Sequence, residues 1–525
     1  MEMVVQRKIL LIGIFPESQR VRWMSAPYVL KAYFKKNSSK ASQVCIDILD
    51  ASNADPVEEI LQSIIAYQPE VIGISCYTWN VTIVRTIVAK IKALLPMSII
   101  ILGGPEISLH NAEAYTQDPC FDADYCIIGE GEVAFVELIE EILESKDKNE
   151  KKRISGRVDL TKSPSIYLTE TVPEERYDGQ LVFMETQRGC KYRCAYCVYH
   201  KNLTDLTFMP LEQMKEEISF LLTRKNITSV RIIDANFSAN ISHAKSIMNH
   251  FLKLACDGFF LDKLMIEFDY KDTDEEFISV ISRMKKRKSI NNYEEKNLPV
   301  DKPVGDSFII TSDYTVFIGV GIQSFNNASL RAVNRAPVIK EKFEHFLGLV
   351  HEYNIILKLD IILGLPYETV ETYIDGLSRL LYYIEKTDHY LQFSFLQVLP
   401  GAPIEEMVED LGLYYDFETK FVYKTNAMSE NELIYCAKVT ILVNRIINSP
   451  LRTLLFKIAD NEKDNYSIIE LITDIFQSVS ENFQEFIELS TIEAANKYNE
   501  SVFSNIPQSF LEKRLFSFGQ GRKRN

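Results

Sequence analysis

The chain has 525 residues, of which 46% are hydrophobic and 25% are charged, and its formal net charge is -15. This length predicts two to four domains with sizeable cores, and the acidic balance disfavours nucleic acid as a partner because it repels phosphates. The apolar stretches fall short of the roughly 18 residues of a membrane span, so we expect none. We see no secretory signal, and nine cysteines in such a chain favour the reducing cytoplasm over a disulfide framework.

The first 145 residues alternate strand-like and helix-like stretches. The strand-like runs are rich in apolar residues, as in strands buried on both faces, and lie at 8–15, 43–51, 70–77, 98–105 and 122–132. Helical spacing covers 56–67, 81–95 and the stretch from 133 onwards. This alternation predicts an α/β fold, with an N-terminal doubly wound parallel sheet over residues 1–145. The polar stretch at 146–180 is interpreted as a linker.

The alternation resumes over residues 181–403. Candidate strands lie at 181–189, 229–237, 263–270, 315–325, 355–364 and 392–400. Six strand–helix units predict a partial (β/α)6 barrel, because a complete barrel of this kind has eight strands. A charged stretch at 284–312 is interpreted as a solvated insertion, and its role stays open. From 404 to 525 the pattern becomes mainly helical, and we expect this region to cap the barrel mouth and shape the substrate cavity.

The sharpest signal is a CxxxCxxC motif formed by Cys190, Cys194 and Cys197, directly after a candidate strand. Parallel barrels carry their chemistry on loops at the carboxyl ends of strands, so the position fits an active site. Three thiolates at this spacing can bind three irons of a 4Fe–4S cluster and leave the fourth iron open to a substrate. The alternative is a zinc site completed by His200. The other six cysteines are interpreted as buried small residues: Cys45, Cys76, Cys120, Cys126, Cys256 and Cys436.

The cysteine motif resembles that of the radical S-adenosylmethionine (SAM) superfamily. Three later stretches resemble further motifs of that family, namely its GxQS, GLPGET and PGT signatures, and they lie at 319–325, 363–369 and 399–403. Tyr367 departs from the second signature by replacing its glycine. Asp234-Ala235-Asn236 stands where many members carry Gly-Gly-Glu, so the contact to the SAM amino group is in doubt.

The resemblance implies that a reduced cluster cleaves SAM to a 5′-deoxyadenosyl radical, which abstracts hydrogen from unactivated carbon. It implies an electron donor such as flavodoxin or ferredoxin. Its motifs assign the SAM pocket to four residues, which are Tyr196, Asp234, Gln323 and Ser324. Glu267 and Asp269, at the end of the third strand, either touch SAM or substrate or form salt bridges in the barrel core.

Three strand ends of the first domain carry small or polar residues, at 76–80, 103–106 and 129–132. Ligands of open α/β sheets bind at the carboxyl ends of strands, and glycines there allow a close approach. The order of these stretches resembles the cobalamin-binding domain that precedes many radical SAM barrels. The resemblance implies a set of cofactor-binding residues, which are Trp79, Asn80, Gly103, Gly104, Glu106, Gly129, Glu130 and Gly131.

Alternatives stay open for several of these positions. Trp79 either packs on the corrin or fills a domain interface. Glu130 is either a ligand or a turn carboxylate favoured by the helix dipole. The Asp-x-His-x-x-Gly motif, whose histidine binds cobalt in methionine-synthase-like domains, is absent, and His110 is either a surface residue or a ligand.

The resemblance implies a cobalamin-dependent radical SAM enzyme that methylates an unactivated carbon of a natural-product or peptide substrate. One alternative is a radical SAM enzyme without cobalamin that performs a rearrangement or an oxidation. Another is a cluster- or corrin-binding sensor without enzymatic activity. The sequence leaves the substrate and the oligomeric state open.

Overall fold

The computed structural model describes residues 6–17, 22–107, 122–144, 152–154, 157–177, 180–199, 205–224, 227–284, 316–385, 389–449, 451–462, 468–482, 511 and 515. His110, Cys120, His200 and nearly all of the 284–312 insertion lie outside these residues. The chain divides into two compact units. The first unit comprises Met1–Lys191, Val198–Ala235 and Ser246–Asp262, and the second comprises Tyr192–Cys197, Asn236–Lys245 and Lys263–Asn525.

A six-stranded parallel sheet forms the start of the first unit. Its elements in chain order are β1 (Arg7–Phe15), α1 (Ser25–Asn37), β2 (Val44–Ser52), α2 (Val57–Tyr67), β3 (Val71–Ser75), α3 (Val81–Leu94), β4 (Ile99–Gly103), β5 (Tyr125–Ile128), α4 (Gly131–Leu143) and β6 (Lys152–Ile154). The strand order is β2-β1-β3-β4-β5-β6, and every pair is parallel. The prediction of a doubly wound parallel sheet is therefore confirmed.

Helices cover both faces of this sheet, which is why its middle strands β3 and β4 are almost entirely apolar. On one face, α2 and α3 bury Ile64, Val84 and Ile87 against the sheet. On the other face, α1 and α4 bury Phe34 and Phe135, whose rings meet edge to face at 6.0 Å.

The remaining strands and helices follow in the order of the predicted barrel. They are β7 (Leu181–Met184), β8 (Gln187–Arg188), β9 (Thr207–Phe208), α5 (Leu211–Arg224), β10 (Ser229–Ile232), α6 (Ile241–Cys256), β11 (Lys263–Glu267), α7 (Glu275–Ser282), β12 (Val316–Gln323), α8 (Asn327–Ala332), α9 (Lys340–Glu352), β13 (Ile356–Leu363), α10 (Val370–Glu385) and β14 (Tyr390–Phe395). In the first unit β7 pairs in parallel with β10, and β8 pairs antiparallel with β9. In the second unit β11, β12, β13 and β14 pair in parallel in that order. All six predicted barrel strands are thus present.

The C-terminal region contains more than helices. The chain first forms an antiparallel hairpin of β15 (Leu413–Tyr415) and β16 (Val422–Thr425) and then α11 (Glu430–Ile447), α12 (Leu451–Glu462) and α13 (Ile468–Asn482). Ser429 and Glu432 form a capping box that fixes the start of α11. The sequence predicted a mainly helical region and did not show the hairpin, because strands of three and four residues are too short to show a hydrophobic period.

The described part of the predicted linker packs closely within the first unit. Val158 and Leu160 pack with Tyr33 of α1. The Tyr167 hydroxyl donates a hydrogen bond of 2.6 Å to the carbonyl of Phe183 in β7. This segment is therefore held by side-chain packing and does not run as a free spacer. Among the described helices, none is long and apolar enough to cross a membrane.

Candidate functional site

The carboxyl edge of the first sheet brings several predicted cofactor residues together. The Trp79 ring stacks on Tyr77, with ring centroids 4.3 Å apart, and is 45% exposed. Its indole nitrogen donates to the carbonyl of Ile14 at the end of β1 (3.4 Å). An exposed, stacked aromatic surface at this edge is suited to packing on a planar ligand.

Asn80 has a structural task at the same edge. Its side-chain amide donates to the carbonyls of Ile14 (3.2 Å) and Ser75 (3.1 Å) and accepts from the Tyr77 amide (2.7 Å). The side chain is buried and ties the ends of two strands to the start of α3. Contact between Asn80 and a cofactor stays a prediction.

The loop after β4 approaches the loop after β3 closely. Gly104 has a φ of +105°, and a Cβ there would lie 2.5 Å from the carbonyl oxygen of Cys76. Only glycine fits such a position without a shift of the backbone. Beyond it, the Glu106 carboxylate is buried and accepts from the Thr78 hydroxyl (3.4 Å). Gly104 therefore allows the two loops to approach closely, and contact of Gly103, Gly104 and Glu106 with a cofactor stays a prediction.

Glu130, at the end of β5, turns towards the segment that follows β6. Its carboxylate forms an ion pair with Arg157 (3.1 Å) and accepts from the Val158 amide. Burial raises the pKa of Glu130. The left-handed Gly129 (φ +94°) precedes it, and Gly131 begins α4. These contacts give Glu130 a structural partner, and its role as a ligand stays a prediction.

The cysteine motif is anchored by backbone hydrogen bonds within the second unit. The amide of Ala195 donates to the carbonyl of Val333 (2.8 Å), and the carbonyl of Ala195 accepts from the amide of Ile404 (2.9 Å). The Cys197 amide donates to the carbonyl of Cys194 (3.0 Å), which forms a tight turn. Cys194 is buried, whereas Cys197 is partly exposed. Burial raises the pKa of the neighbouring Tyr196 phenol well above its ordinary value, so that the phenol is neutral.

Arg335 is a residue of this site to which the sequence assigned no role. Its guanidinium lies 3.6 Å from the sulfur of Cys194 and 3.2 Å from the Asp269 carboxylate, and it donates to the carbonyl of Gly321 (2.6 Å). Lys271 is the second cation beside Asp269, at 3.2 Å. Arg335 therefore places a positive charge beside the sulfur of one cysteine of the motif. The only sequence signal for Arg335 is its place after the GxQS-like stretch.

The strand end before Cys190 is held by arginines of the first unit. Gly189 has a φ of +94°, and a Cβ there would lie 2.2 Å from the carbonyl oxygen of Asp205. Arg188 pairs with Glu132 (2.7 Å) and with Glu185 (2.9 Å). These contacts set the path of the chain into the cysteine motif.

Asp234 joins the ends of β7 and β10. Its carboxylate accepts from the Thr186 amide (2.8 Å), from the Thr186 hydroxyl (2.5 Å) and from the Gln187 amide (3.3 Å). The residue is 2% exposed, and burial raises its pKa to about 7. Asp234 thus holds the two strand ends together, and its contact with SAM stays a prediction.

Gln323 and Ser324 lie where β12 ends. Gln323 has a φ of +69°, and its amide nitrogen occupies the space above Gly321, where a Cβ would lie 2.2 Å away from it. The Ser324 hydroxyl accepts from the Asn326 amide (2.9 Å) and donates to the buried carboxylate of Glu368 (2.6 Å). Glu368 comes from the GLPGET-like stretch, so the structure joins two motifs that the sequence showed separately.

We expect Glu368→Gln to flatten the dependence of stability on pH. Burial raises the pKa of Glu368 from 4.5 to about 7, and one carboxylate oxygen has no hydrogen-bond partner among the described residues. The folded state holds the Glu368 proton more tightly than the unfolded state does. The protonated carboxyl therefore contributes its full stabilisation below the pKa of the unfolded state, and this stabilisation is lost as pH rises through about 7. Urea titrations measure the free energy of unfolding at pH 5 and at pH 8. The decrease between these two pH values should be about 1–3 kcal/mol smaller in Glu368→Gln than in the wild type.

The matched control is Glu371→Gln, an exposed glutamate on α10. It should keep the pH dependence of the wild type. If Glu368→Gln has the same dependence of stability on pH as the wild type, the Glu368 carboxyl is not protonated in the folded state as we expect.

The residue types of the cysteine motif fit an iron–sulfur cluster, although the described side chains do not yet converge on one point. Among the described residues, no group of three or more His, Cys, Asp or Glu side chains could hold a metal ion as placed. Three thiols in eight residues, with an arginine beside one of them, form a donor set suited to iron–sulfur chemistry. Ligation by Cys190, Cys194 and Cys197 stays a prediction.

Comparison with known proteins first concerns the N-terminal sheet. Residues 30–139 match the family model of the B12 binding domain. The resemblance of the N-terminal domain to cobalamin-binding domains is therefore confirmed.

Two curated relatives match most of the chain. The cobalamin-dependent radical SAM methyltransferase TokK of Streptomyces tokunonensis is 25% identical over 386 residues, which are 68% of this chain and 51% of TokK. The 2-(S-pantetheinyl)-carbapenam-3-carboxylate methyltransferase of Streptantibioticus cattleyicolor is 24% identical over 434 residues, which are 73% of this chain and 57% of that protein. The chain thus spans little more than half the length of these relatives.

Two solved structures share the fold. The cobalamin-dependent SAM radical enzyme OxsB, with aqua-cobalamin and SAM bound, has a TM-score of 0.59 at 14% identity and covers 98% of this chain and 79% of its own. The radical SAM methyltransferase TsrM of Kitasatospora setae, with tryptophan and a SAM analogue bound, has a TM-score of 0.57 at 18% identity and covers 77% of this chain and 76% of its own. The predicted α/β fold class is confirmed.

Proposed function

We propose that this chain, which resembles the radical SAM proteins that carry a B12-binding domain, is a cobalamin-dependent radical SAM methyltransferase. The observation that carries the proposal is the CxxxCxxC motif at 190–197, which comes after β7 and the short β8 and lies in one chain with a B12-binding match at 30–139. Neither feature alone specifies the reaction. Together they support the proposal that one protein carries both a radical source and a methyl carrier.

Each cofactor has a set of residues suited to hold it. The thiols of Cys190, Cys194 and Cys197 would ligate the 4Fe–4S cluster. The SAM pocket would be lined by Tyr196, Asp234, Gln323 and Ser324, and the carboxyl edge of the first sheet would receive the corrin. When bound, these groups supply the electron that cleaves SAM and the methyl group that is transferred.

The residues of the chain orient and protect this chemistry. Arg335 supplies a fixed positive charge at Cys194. Asp269 holds Arg335 in place through an ion pair that is largely withdrawn from water. Ser324 is fixed by Glu368 and the Asn326 amide, so its position does not depend on solvent. Such preorganisation is what a radical enzyme requires of its protein.

The substrate class that we propose is a natural product or peptide, taken as a small molecule. The two curated relatives are methyltransferases, one of them named for a carbapenam carboxylate, and the TsrM structure contains tryptophan. We further propose a flavodoxin or ferredoxin as the electron donor and the cytoplasm as the location, since thiol ligands require a reducing environment.

One observation favours a second candidate, a radical SAM enzyme that uses no cobalamin. Two of the residues assigned to the cofactor, Asn80 and Glu130, are engaged by backbone groups and by Arg157. The first domain would then serve as a platform for the substrate. Corrin retained by the purified protein decides between the two candidates.

The test uses the full chain, purified without oxygen and reconstituted with iron, sulfide and cobalamin. SAM and a strong reductant are added, and the SAM products are followed by mass spectrometry. We expect 5′-deoxyadenosine, which reports radical formation, and S-adenosylhomocysteine, which reports loss of the methyl group.

The matched control is the same preparation without iron and sulfide, which should give no 5′-deoxyadenosine. 5′-Deoxyadenosine with no S-adenosylhomocysteine and no retained corrin would favour the candidate without cobalamin. If neither product forms in protein that holds its cluster, the enzymatic proposal is wrong and a sensor is favoured.

A further inference from the structure

The tyrosine between the first two cysteines of the motif is anchored by its side chain. Tyr192 follows Cys190 by two residues and precedes Cys194 by two. Its hydroxyl donates a hydrogen bond of 3.1 Å to the carboxylate of Asp272. Asp272 ends a short turn, Tyr270–Asp272, that comes soon after β11. A side chain of the cysteine motif is thus bonded to the loop at the carboxyl end of a strand of the second unit.

Asp272 is itself held by a neighbouring loop. The side-chain amide of Asn236 donates to the same carboxylate oxygen (2.7 Å). The carbonyl oxygen of the Asn236 side chain accepts from the amide of Asp269 (3.1 Å) and from the hydroxyl of Ser238 (3.2 Å). Asn236 is buried, so water competes little for these bonds. The carboxylate that Tyr192 binds is therefore fixed by protein contacts of its own.

The aromatic ring of Tyr192 lies beside two cations. The Lys271 ammonium and the Arg335 guanidinium are each 5.8 Å from its centroid, within the range of a cation–π contact. Both cations also pair with the Asp269 carboxylate, each at 3.2 Å. The Arg335 guanidinium is the group that lies 3.6 Å from the Cys194 sulfur. The Tyr192 ring thus contacts the same cation that contacts a thiol of the motif.

Two later positions of the motif are held through their backbone. The side-chain amide of Asn334 donates to the carbonyl of Arg193 (2.9 Å). The amide of Ala195 donates to the carbonyl of Val333 (2.8 Å). Tyr192 adds a side-chain anchor on the side of the first cysteine. Because its loss leaves these backbone bonds in place, a variant at Tyr192 should fold.

We infer, resting on the proposed function, that Tyr192 and Asp272 are positioning residues for the iron–sulfur cluster. Their hydrogen bond restrains the motif while its thiols ligate iron. A hydrogen bond to a carboxylate is stronger than one between neutral groups. It orders the loop before the metal arrives, which lowers the conformational entropy that ligation has to remove. Without this bond the loop opens more often, the thiolates are held in an altered geometry, and iron leaves faster.

The first test needs no cluster. Amide hydrogen exchange of the full chain, followed by mass spectrometry, measures how often the loop opens. Tyr192→Phe removes only the hydroxyl and should speed up exchange of the Ala195 and Cys197 amides, whose hydrogen bonds close the loop, about tenfold. Asp272→Ala should have the same effect. Asp272→Asn keeps an acceptor oxygen and should remain within about threefold of the wild type.

The second test uses the full chain reconstituted with iron and sulfide. In the presence of an iron chelator, the visible absorbance of the cluster should decay about tenfold faster in Tyr192→Phe and in Asp272→Ala. The electron paramagnetic resonance spectrum of the reduced cluster should change in both variants, because the thiolates are held differently. The matched control is Tyr382→Phe, which alters a tyrosine on α10 that is 65% exposed and should match the wild type in both tests.

Unchanged exchange in Tyr192→Phe would overturn the inference, since the loop would then not depend on the hydroxyl. Faster exchange with the cluster spectrum and the chelation rate of the wild type would overturn it as well, because the bond would then support the loop alone. So would an Asp272→Asn variant as impaired as Asp272→Ala. A wild type that takes up no iron refutes the proposed function, whereas a wild type that holds its cluster beside unaffected variants refutes only this inference.

Discussion

Cys194→Ala is expected to abolish cluster assembly and, with it, all formation of 5′-deoxyadenosine. Two thiolates cannot replace three in holding a cubane cluster, so iron in the reconstituted protein should fall from about four atoms per chain to background. The visible absorbance of the cluster should disappear in parallel. Cleavage of SAM should become undetectable, because the electron that cleaves SAM comes from the cluster.

The variant should nevertheless fold, which makes the result interpretable. The loop is anchored by the backbone of Ala195, which bonds to Val333 and Ile404 without any part of the Cys194 side chain. The sequence predicted the Cys256 thiol to be buried, but the structure shows it exposed on α6. The matched control is Cys256→Ala, outside the motif. It should keep full iron content. A cluster of normal stoichiometry in Cys194→Ala would refute the assignment of this cysteine as a ligand.

Most of the fold could be predicted from the sequence, because the middle strands of the first sheet are continuous apolar runs and the later strands alternate with helical stretches. Apart from the hairpin of β15 and β16, which the sequence did not show, the errors lie at the strand ends. The predicted strand 70–77 ends at Ser75, because beyond it Cys76 and Asn80 enter a loop held by side-chain hydrogen bonds. Such ends depend on contacts between strands that no local pattern contains.

For the candidate site, the sequence showed which polar residues lie at strand ends, but it did not show which partners they bind. The sequence marks Asp234 as a polar residue after a strand, but it does not reveal that Thr186 occupies both carboxylate oxygens. The pairing of Ser324 with Glu368 and of Glu267 with Lys358 depends on the register of neighbouring strands. Register is a tertiary property, so these partners become visible only in the structure.

Arg335→Met is expected to lower the reduction potential of the cluster. The guanidinium lies 3.6 Å from the Cys194 sulfur and donates to the Gly321 carbonyl, and its side chain is 13% exposed, so its charge is only weakly screened. Reduction adds an electron to the cluster, and a nearby positive charge favours the reduced form. Loss of that charge should lower the potential by about 60–120 mV, as a redox titration followed by electron paramagnetic resonance would measure.

The same change should also lower stability, because Asp269 is buried and would keep only Lys271 as a neighbouring cation. Stability alone therefore cannot distinguish a tuning role from a structural one, whereas the potential can. Arg335→Lys keeps the charge but loses the planar donor set, so its potential should lie between those of the wild type and Arg335→Met. The matched control, Arg331→Met, alters an exposed arginine on α8 and should leave the potential unchanged. If Arg335→Met is less stable but has the potential of the wild type, the arginine supports the loop and does not tune the cluster.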